Sequence, residues 1–520
     1  MKKNKKKIII IISILVVLLI ILVTYLLLTK NKNNKFDTSV VNNNSEYKIS
    51  DNTLSAFDLY FMKVGGKNKN IIYSPLSIKY ALSMLSDATT GDTHTEIENV
   101  LGNFKAKKYQ NTKNMSLANS MFIKDNFKKS VKDSYIKLLK ENYNAEIIYD
   151  AFKNPSNINN WVKDKTLGLI PNLLEDISGL DFLLINALAI DMEWKNPIQP
   201  INGKEFFDKE HTYDGSDFSV SYAHEEYGMY VGPIMCDIYS KLDFNNKDVK
   251  AVEIGTTINN YDIVGELGEA NIRNFVGEKY EEWVSKDYCN EGTYEDTKSF
   301  IDRYIKEIDS NYKDVATSTD YTFYVDEDIK VFQKELKDYN ELSLEYIAFM
   351  PEKETLDNFI KNTNTDKLKD YISKLRTIEL NNFEKGVITS IRGLIPLYKF
   401  EYALDLQNDL KSLGIKNVFE PSHASLINLT SNKGASISEV MHKANIEFSN
   451  EGIKAAAATE GGGAGDTNCG FDYIYKVPIK EIDITFNKPF MFLIRDKNTK
   501  EVWFAGTVYE PTEYSEKGSC

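Results

Sequence analysis

Cysteine and histidine are scarce in this chain, whose 520 residues include four cysteines and five histidines. Four cysteines are too few for a disulfide scaffold, and the absence of CxxC and HExxH motifs excludes the common zinc sites. The GxSxG elbow that carries the nucleophile of many hydrolases is missing as well. We therefore predict no catalytic residue, no metal site and no cofactor, and we expect a protein that is not an enzyme.

Positive charge is also in short supply. The chain has 63 lysines and arginines against 76 aspartates and glutamates, which gives a formal net charge of −13 at pH 7. Because proteins bind phosphate backbones through basic faces, nucleic acid is excluded as a partner.

Most of the negative charge lies in residues 225–318, which hold twenty acidic and ten basic residues. Two interpretations stay open for this stretch: a solvated acidic insertion on the surface, or a docking module for a partner. It contains no EF-hand pattern, so calcium is not predicted. Cys236 and Cys289 lie in the same stretch, where they either pair outside the cell or stay as free thiols.

A long apolar run stands near the start of the chain. Residues 8–28 are interrupted only by one serine, one threonine and one tyrosine, and five lysines precede them. Such a run is long enough to cross the hydrocarbon layer of a membrane. Because no small-residue cleavage site follows, we predict an uncleaved signal anchor over residues 1–29 and a single-pass protein of the cell membrane, with the remainder outside. The alternative is a cleaved signal peptide and a secreted protein.

Residues 30–48 are rich in asparagine, lysine and serine, which is typical of a flexible tether. The next stretch of special composition is near the other end of the chain, at residues 450–466. It reads NEGIKAAAATEGGGAGD and contains no proline. Its small residues suit a segment that first stands free as a loop and later enters a sheet, because bulky side chains would obstruct entry and proline would remove a ladder donor.

The flanks of this stretch predict strands. Upstream, ISEVMHKANIEFS alternates apolar and polar residues, and downstream IDITFNKPFMFLIRDKNTKEVWFAGTVYEP predicts two strands joined by a polar turn. An alanine and glycine tract alone would be typical of a flexible linker, but these flanks favour a loop that belongs to a sheet. The residues of the predicted loop hinge are Gly452, Ile453, Ala455, Ala456, Ala457 and Ala458.

The hinge together with IDITFNKPFMFLI resembles the serpins, which are serine-protease-inhibitor-type proteins. NIIYSPLSIKYALSMLSDATTGDTHTEIENVLG resembles their second-helix region, and INNWVKDKTLGLIPNLLE resembles the helix that lies across their main sheet. The resemblance implies an α+β fold with a large, mainly antiparallel central sheet, flanking helices, two further sheets and an exposed reactive-centre loop. The implied organisation is a serpin domain in two parts (49–224 and 319–511), the acidic insertion (225–318), the reactive loop (450–480) and a C-terminal tail (512–520).

In serpins, a protease attacks the loop as a substrate and forms an acyl-enzyme, and it is trapped when the cut loop inserts into the main sheet. The resemblance thus implies a serine or cysteine protease as partner. Family spacing from Gly452 implies cleavage between Asp466 and Thr467 and an aspartate-cleaving target. The fourteen residues that follow Gly452, up to Asp466, extend about 46 Å, the length of a long strand. If the register slips, Thr467, Asn468 or Cys469 takes this place and the target class changes.

Four further positions are implied by the resemblance. Ser74, Asn186 and His442 match the polar cluster that controls the opening of the sheet, and Trp194 matches the tryptophan where the loop enters. Ile453 departs from the family, which usually has threonine or serine there, and it is large for the first residue to enter a gap. The alternative function is therefore a non-inhibitory, membrane-anchored binding protein that uses the acidic insertion as its interaction surface.

Overall fold

The computed structural model describes residues 44–198, 239–260, 264–265, 268–286, 296–311, 321–450, 452–453 and 479–514, apart from residues 66 and 439. The predicted membrane span 8–28, the four hinge alanines, the predicted scissile bond and all four cysteines lie outside these residues. Within the described ranges, no helix is both long and apolar enough to cross a membrane.

Helices and strands alternate irregularly along the described chain. The helices are α1 (Ala56–Val64), α2 (Pro75–Ala88), α3 (Gly91–Leu101), α4 (Asp133–Tyr143), α5 (Ser156–Lys165), α6 (Glu269–Ser285), α7 (Thr297–Asn311), α8 (Leu356–Asn362), α9 (Thr365–Ser373) and α10 (Gln407–Ser412). The strands are β1 (Ile71–Tyr73), β2 (Met115–Lys124), β3 (Glu146–Asp150), β4 (Phe182–Ile190), β5 (Met192–Glu193), β6 (Ser240–Phe244), β7 (Lys247–Asn259), β8 (Tyr321–Val325), β9 (Ile329–Glu335), β10 (Leu344–Pro351), β11 (Ile388–Pro396), β12 (Tyr398–Asp405), β13 (Met441–Phe448), β14 (Gly452–Ile453), β15 (Ile479–Asp483), β16 (Phe490–Asp496) and β17 (Val502–Val508).

Two of the sheets contribute strands to the apolar core. A six-stranded sheet has the order β1-β17-β16-β10-β9-β8, and its neighbours are all antiparallel. Every residue of β10, β16 and β17 is buried, so this sheet lies in the middle of the apolar core. A four-stranded sheet has the order β15-β11-β7-β6, in which only the β11 and β15 pair is parallel.

The remaining strands form a central sheet in two halves. One half has the order β3-β2-β4, and the other has the order β12-β13-β14-β5. Only Asp191 separates β4 from β5, so the chain passes directly from one half to the other. The expected α+β architecture, with a large antiparallel sheet, flanking helices and two further sheets, is confirmed.

Helix α2 begins where the sequence predicts. Ser74 is its N-cap, and the Ser74 side chain accepts a hydrogen bond from the Ser77 backbone N–H. Pro75 occupies the first turn, where its missing N–H removes no helical hydrogen bond. Most of α2 is buried, and it packs against both β4 and β17, so it lies between the central and six-stranded sheets.

The helix predicted from INNWVKDKTLGLIPNLLE is shorter than expected. Helix α5 ends at Lys165, because Leu167 and Gly168 follow in the left-handed region at φ 56° and 79°. A left-handed pair ends an α-helix, and Pro171 lies just beyond. Ile170 and Leu174 nevertheless remain buried with Trp161, so the apolar periodicity reports packing and not helix length.

The structure divides the acidic stretch 225–318 differently from the prediction. Residues 240–259 form β6 and β7 with the turn between them, and β7 pairs with β11 from Ala251 to Asn259. Val249, Val252 and Ile254 of β7 are buried in the main core. Residues 240–259 are therefore part of the domain, and the described part of the insertion that lies outside the sheets is dominated by α6 and α7.

Candidate functional site

The first two residues of the predicted hinge are paired in the central sheet. Strand β14 consists of Gly452 and Ile453 and lies between β13 and β5, with Gly452 opposite Glu193 and Ile453 between Phe448 and Met192. Ile453 is buried in the core with 2% of its surface exposed. The bulk of Ile453 therefore does not keep it out of the sheet, and its β-branched side chain suits a strand.

A tight turn brings the hinge back alongside β13. The Ser449 N–H donates to the Gly452 carbonyl at 3.0 Å, and the Gly452 N–H donates to the Ser449 hydroxyl at 3.3 Å. A Cβ on Gly452 would lie 2.4 Å from the Met192 carbonyl oxygen and 2.6 Å from the Glu193 Cα. Because both atoms belong to the backbone of β5, only glycine allows this close approach.

We expect Gly452→Ala to push β14 away from β5 and to destabilise the fold by about 1–3 kcal/mol, the usual effect of overpacking. Urea unfolding measures the loss, and hydrogen exchange at Ile453 reports the freed strand. Gly434→Ala is the matched control, since a Cβ there would meet only Asn432 Oδ1 at 3.7 Å. Equal stability of the two variants would contradict the prediction.

Trp194, which the resemblance places where the loop enters, lies beside the hinge. The side chain is buried, and its Nε1–H donates to the Ser449 carbonyl at 2.9 Å. Its ring packs edge-on against Phe448, with centroids 5.3 Å apart, and against Tyr346 at 6.0 Å. Trp194 thus fixes the turn that precedes the hinge.

Strand β5 is also tied to the end of the six-stranded sheet. The Lys195 N–H donates to the Glu335 carbonyl at 3.0 Å, and the Lys337 N–H donates to the Glu193 carbonyl at 2.9 Å. The same four residues form two ion pairs, with N to O distances of 3.1 Å and 3.0 Å. These ion pairs are half exposed and contribute little individually, so the backbone bonds are what position β5 beside the hinge.

The predicted polar cluster is assembled below the hinge. His442 of β13 is buried, and its Nε2 accepts a hydrogen bond from the Ser74 N–H at 2.9 Å. Ser77 continues the chain of contacts, because its hydroxyl donates to the Asn186 carbonyl of β4 at 3.3 Å. The Asn186 side-chain N–H₂ donates to the Asn119 side-chain oxygen of β2 at 2.8 Å. The start of α2 therefore bridges β13 to β4.

The structure places Ser74 and His442 in direct contact, whereas Asn186 joins them through Ser77. Sequence reasoning did not identify Ser77 or Asn119 as members of this cluster. Ser77 could have been found from the SPLS sequence, because the residue three after an N-cap serine lies beside it. Asn119 depends on the register between β2 and β4, which no local signal gives.

Beneath the hinge, the two halves of the central sheet stand apart. Within the described residues, no ladder joins β4 to β13, although each pairs with a strand on its other side. A cavity of about 290 Å³ separates them, lined by residues of β4, β13 and α2. The side-chain oxygen of Asn186 is buried there without a hydrogen-bond partner. This cavity has the place that one more strand, continuing from β14, would take.

Burial lowers the pKa of His442 from 6.5 to about 4. The unfolded chain therefore binds a proton at this histidine between pH 6.5 and 4, while the folded protein does not. The stability that the neutral imidazole contributes is complete above pH 6.5 and is lost as the pH falls to 4. A shift of this size corresponds to about 3 kcal/mol.

We expect His442→Gln to lose less stability than the wild type between pH 6.5 and 4, by up to about 3 kcal/mol. Burial raises the pKa of Asp409 to about 6, which acts with the opposite sign in this range, so the difference between the two proteins is the readout. Urea unfolding across the range measures it. His423→Gln, at an exposed position, is the control for the removal of a histidine. Parallel profiles for His442→Gln and the wild type would refute the assignment.

No group of three or more histidine, cysteine, aspartate or glutamate side chains in the described part of the chain could hold a metal ion. The arrangement of this site allows a strand to be added to the sheet. The start of the hinge is already paired, and below it two strand edges are separated, with a polar cluster between them.

Comparison with known proteins agrees with this geometry. A family model described as Serpin (serine protease inhibitor) matches residues 50–222 and 299–511. The leukocyte elastase inhibitor of Xenopus tropicalis is 24% identical over 482 residues, which cover 88% of this chain and 97% of that protein. The chain is also similar to the native structure of tengpin, a thermophilic serpin, with a TM-score of 0.55, 20% identity and coverage of 91% and 94% of the two chains.

A further solved structure, thyroxine-binding globulin in complex with thyroxine, is similar with a TM-score of 0.54 and 18% identity, covering 92% of this chain and 99% of the other. At such identities the structural likeness shows the fold alone. The family model, in contrast, matches well over half of the sequence. This protein is therefore a member of the serpin family.

Proposed function

We propose that this protein is a peptidase inhibitor that acts as a suicide substrate. A protease cleaves the reactive loop near Asp466, and the loop then enters the central sheet between β13 and β4 before the acyl-enzyme is hydrolysed. The observation that carries this proposal is β14. Gly452 and Ile453 are paired in the sheet, while β4 and β13 remain apart below them.

The composition of the loop fits this motion. Side chains alternate between the two faces of a strand, and Ile453 points into the core. Continuing the strand by alternation directs Ala455 and Ala457 towards the core side of the sheet, and Ala456 and Ala458 towards the opposite face. Methyl groups can pass between β4 and β13 without displacing the polar cluster around His442.

The target that we propose is a serine or cysteine protease that cleaves after aspartate. Family spacing from the hinge supports cleavage between Asp466 and Thr467, and about fourteen residues of strand would carry the attached protease roughly 46 Å. Cleavage after Thr467, Asn468 or Cys469 would retain the mechanism and change the class of protease.

The experiment is to mix the full-length chain, in mild detergent, with aspartate-cleaving serine proteases and caspases. We expect an SDS-resistant adduct, and mass spectrometry of the released peptide should give Asp466 as the acyl residue. An adduct cut elsewhere would keep inhibition and move the bond. Cleavage of the loop by every protease without any adduct would refute the inhibitor proposal.

The alternative is a non-inhibitory binding protein on the same scaffold. The helices α6 and α7 favour it, because they are a folded element of the insertion and not a solvated coil. Thyroxine-binding globulin, with the same fold, carries a small molecule in its solved structure. A cleaved loop that leaves the melting temperature unchanged would support this alternative.

For its location, we infer a single-pass protein anchored by residues 8–28, with the serpin domain outside the cell and secretion as the alternative. The apolar run and the preceding lysines support the anchor. The anchored form should pellet with membranes and require detergent for release, and protease added to intact cells should reach its loop. Recovery of the protein from the culture medium, lacking residues 1–29, would establish secretion instead.

A further inference from the structure

Helices α6 and α7 pack against each other as a helical pair. Ile272, Val276 and Tyr280 of α6 are buried, as is Phe300 of α7, and the rings of Tyr280 and Phe300 stack with centroids 3.7 Å apart. At the side of this contact, Arg273 of α6 bonds to Glu269 and reaches across to Asp302 of α7, the latter at 2.6 Å. The apolar faces are therefore used inside the pair, and the opposite faces are directed outwards.

The pair is attached where the reactive loop returns to the domain. Strand β7, which leads into α6, ends at Asn259 opposite Ile388 of β11. Ile388 is in turn opposite Ile479, the first residue of β15 and the first described residue after the loop. One end of a single sheet thus carries both the base of the helical pair and the distal end of the loop. Helix α6 has 17 residues and is about 25 Å long, comparable to the diameter of a small domain.

The outward face of α6 is polar and acidic. Asn271, Asn274, Glu278 and Glu281 lie opposite the buried stripe, and all four are exposed. Within the described residues, no ion pair engages Glu278 or Glu281, whereas Glu282 is paired with Lys286, which caps the end of the helix. Residues 261–320 as a whole hold fifteen acidic and seven basic residues.

We propose that the outward face of α6 is a second contact site for the target protease, outside the reactive loop. It binds a basic surface beside the cleft of the protease that cleaves the loop. This inference rests on the proposed function, since the loop is what brings the protease to this end of the sheet. Charge complementarity at such a site raises the rate of encounter by about tenfold or more at low salt.

The test compares the full-length wild type with the double reversal Glu278→Lys/Glu281→Lys. The probes are a cationic serine protease that cleaves after aspartate and, in parallel, a caspase without a basic surface. We measure the second-order rate constant of loop cleavage at low and high salt. For the cationic protease at low salt, the reversal should lower this constant about tenfold, and high salt should remove most of the difference. For the caspase, the two proteins should differ less than about twofold.

The double variant Asp125→Lys/Glu175→Lys is the charge-matched control, because both residues are exposed and lie in loops near α4 and α5. It should be cleaved at nearly the wild-type rate. An equal loss of cleavage rate in both variants would show a net-charge effect and overturn the contact site. An unchanged rate in the α6 variant, or no cleavage by the cationic protease, would overturn it as well. If the proposed inhibition fails, the result is different, because the protease then cuts the wild-type loop rapidly and forms no adduct. The cleavage rate still measures docking of the protease in that case.

Discussion

Cleavage of the reactive loop should raise the melting temperature of this protein by roughly 10 °C or more. The intact fold holds a cavity of about 290 Å³ between β4 and β13, and filling it with a strand recovers up to about 7 kcal/mol at about 24 cal/mol per Å³. New ladder hydrogen bonds to both edges offset the entropy lost by ordering the strand. For a chain of this size, each kcal/mol shifts the melting temperature by about 1–2 °C.

Calorimetry of the intact and the cleaved protein measures this shift. The cut must fall inside the loop and leave the chain otherwise whole, which mass spectrometry establishes. The control is a cleaved protein whose loop cannot enter the sheet. Its melting temperature should equal that of the intact protein. An unchanged melting temperature in cleaved wild type would mean that the gap does not accept the loop, and the binding-protein alternative would then gain support.

Local sequence signals predicted the parts of this fold that depend on neighbouring residues. The SP dipeptide at Ser74 and Pro75 sets the start of α2 through a cap and a fixed φ angle. The polar stretch between Asp496 and Lys500 forms the turn of the β16 and β17 hairpin, where the Asp496 side chain accepts hydrogen bonds from backbone N–H groups. Such features need only a few residues, so one sequence suffices to find them.

Features that depend on the whole domain were not visible in the sequence. The end of α5 is set by Leu167 in a left-handed conformation, which is unusual for leucine. Strand β7 was included in the acidic insertion because the family resemblance lapses over residues 225–318, which hold twenty acidic and ten basic residues, although the apolar residues of β7 face the core. Charge content thus describes a surface and does not fix the limits of an element.

The residues of the candidate site also divide into those that the sequence predicted and those that depend on the whole domain. The resemblance identified Ser74, His442 and Trp194, and each lies in a contact that holds the hinge or the split sheet. It marked Ile453 as large for a residue that enters a gap, but whether such a side chain fits depends on the space between β13 and β5. The separation of β4 from β13 is likewise a property of two strands far apart in sequence.

Under the proposed mechanism, the Ala457→Arg variant should be an ordinary substrate of the protease. Alternation from Ile453 directs residue 457 towards the core side of the sheet, and a guanidinium there must lose its hydration without a partner. A penalty of about 3 kcal/mol on insertion lowers its rate by more than a hundredfold, so hydrolysis overtakes trapping. Cleavage should remain fast while the fraction of protease recovered as SDS-resistant adduct falls to near zero.

The neighbouring residue supplies the matched control. Ala456→Arg places the same side chain on the opposite face of the strand, where the guanidinium can stay hydrated, so adduct formation should remain close to that of the wild type. Loss of the adduct in both variants would show that the loop tolerates no large side chain and would say nothing of its register. Trapping by Ala457→Arg with loss in Ala456→Arg would place the inward face one residue away, and Ile453 would then not mark the first inward position of the inserted strand.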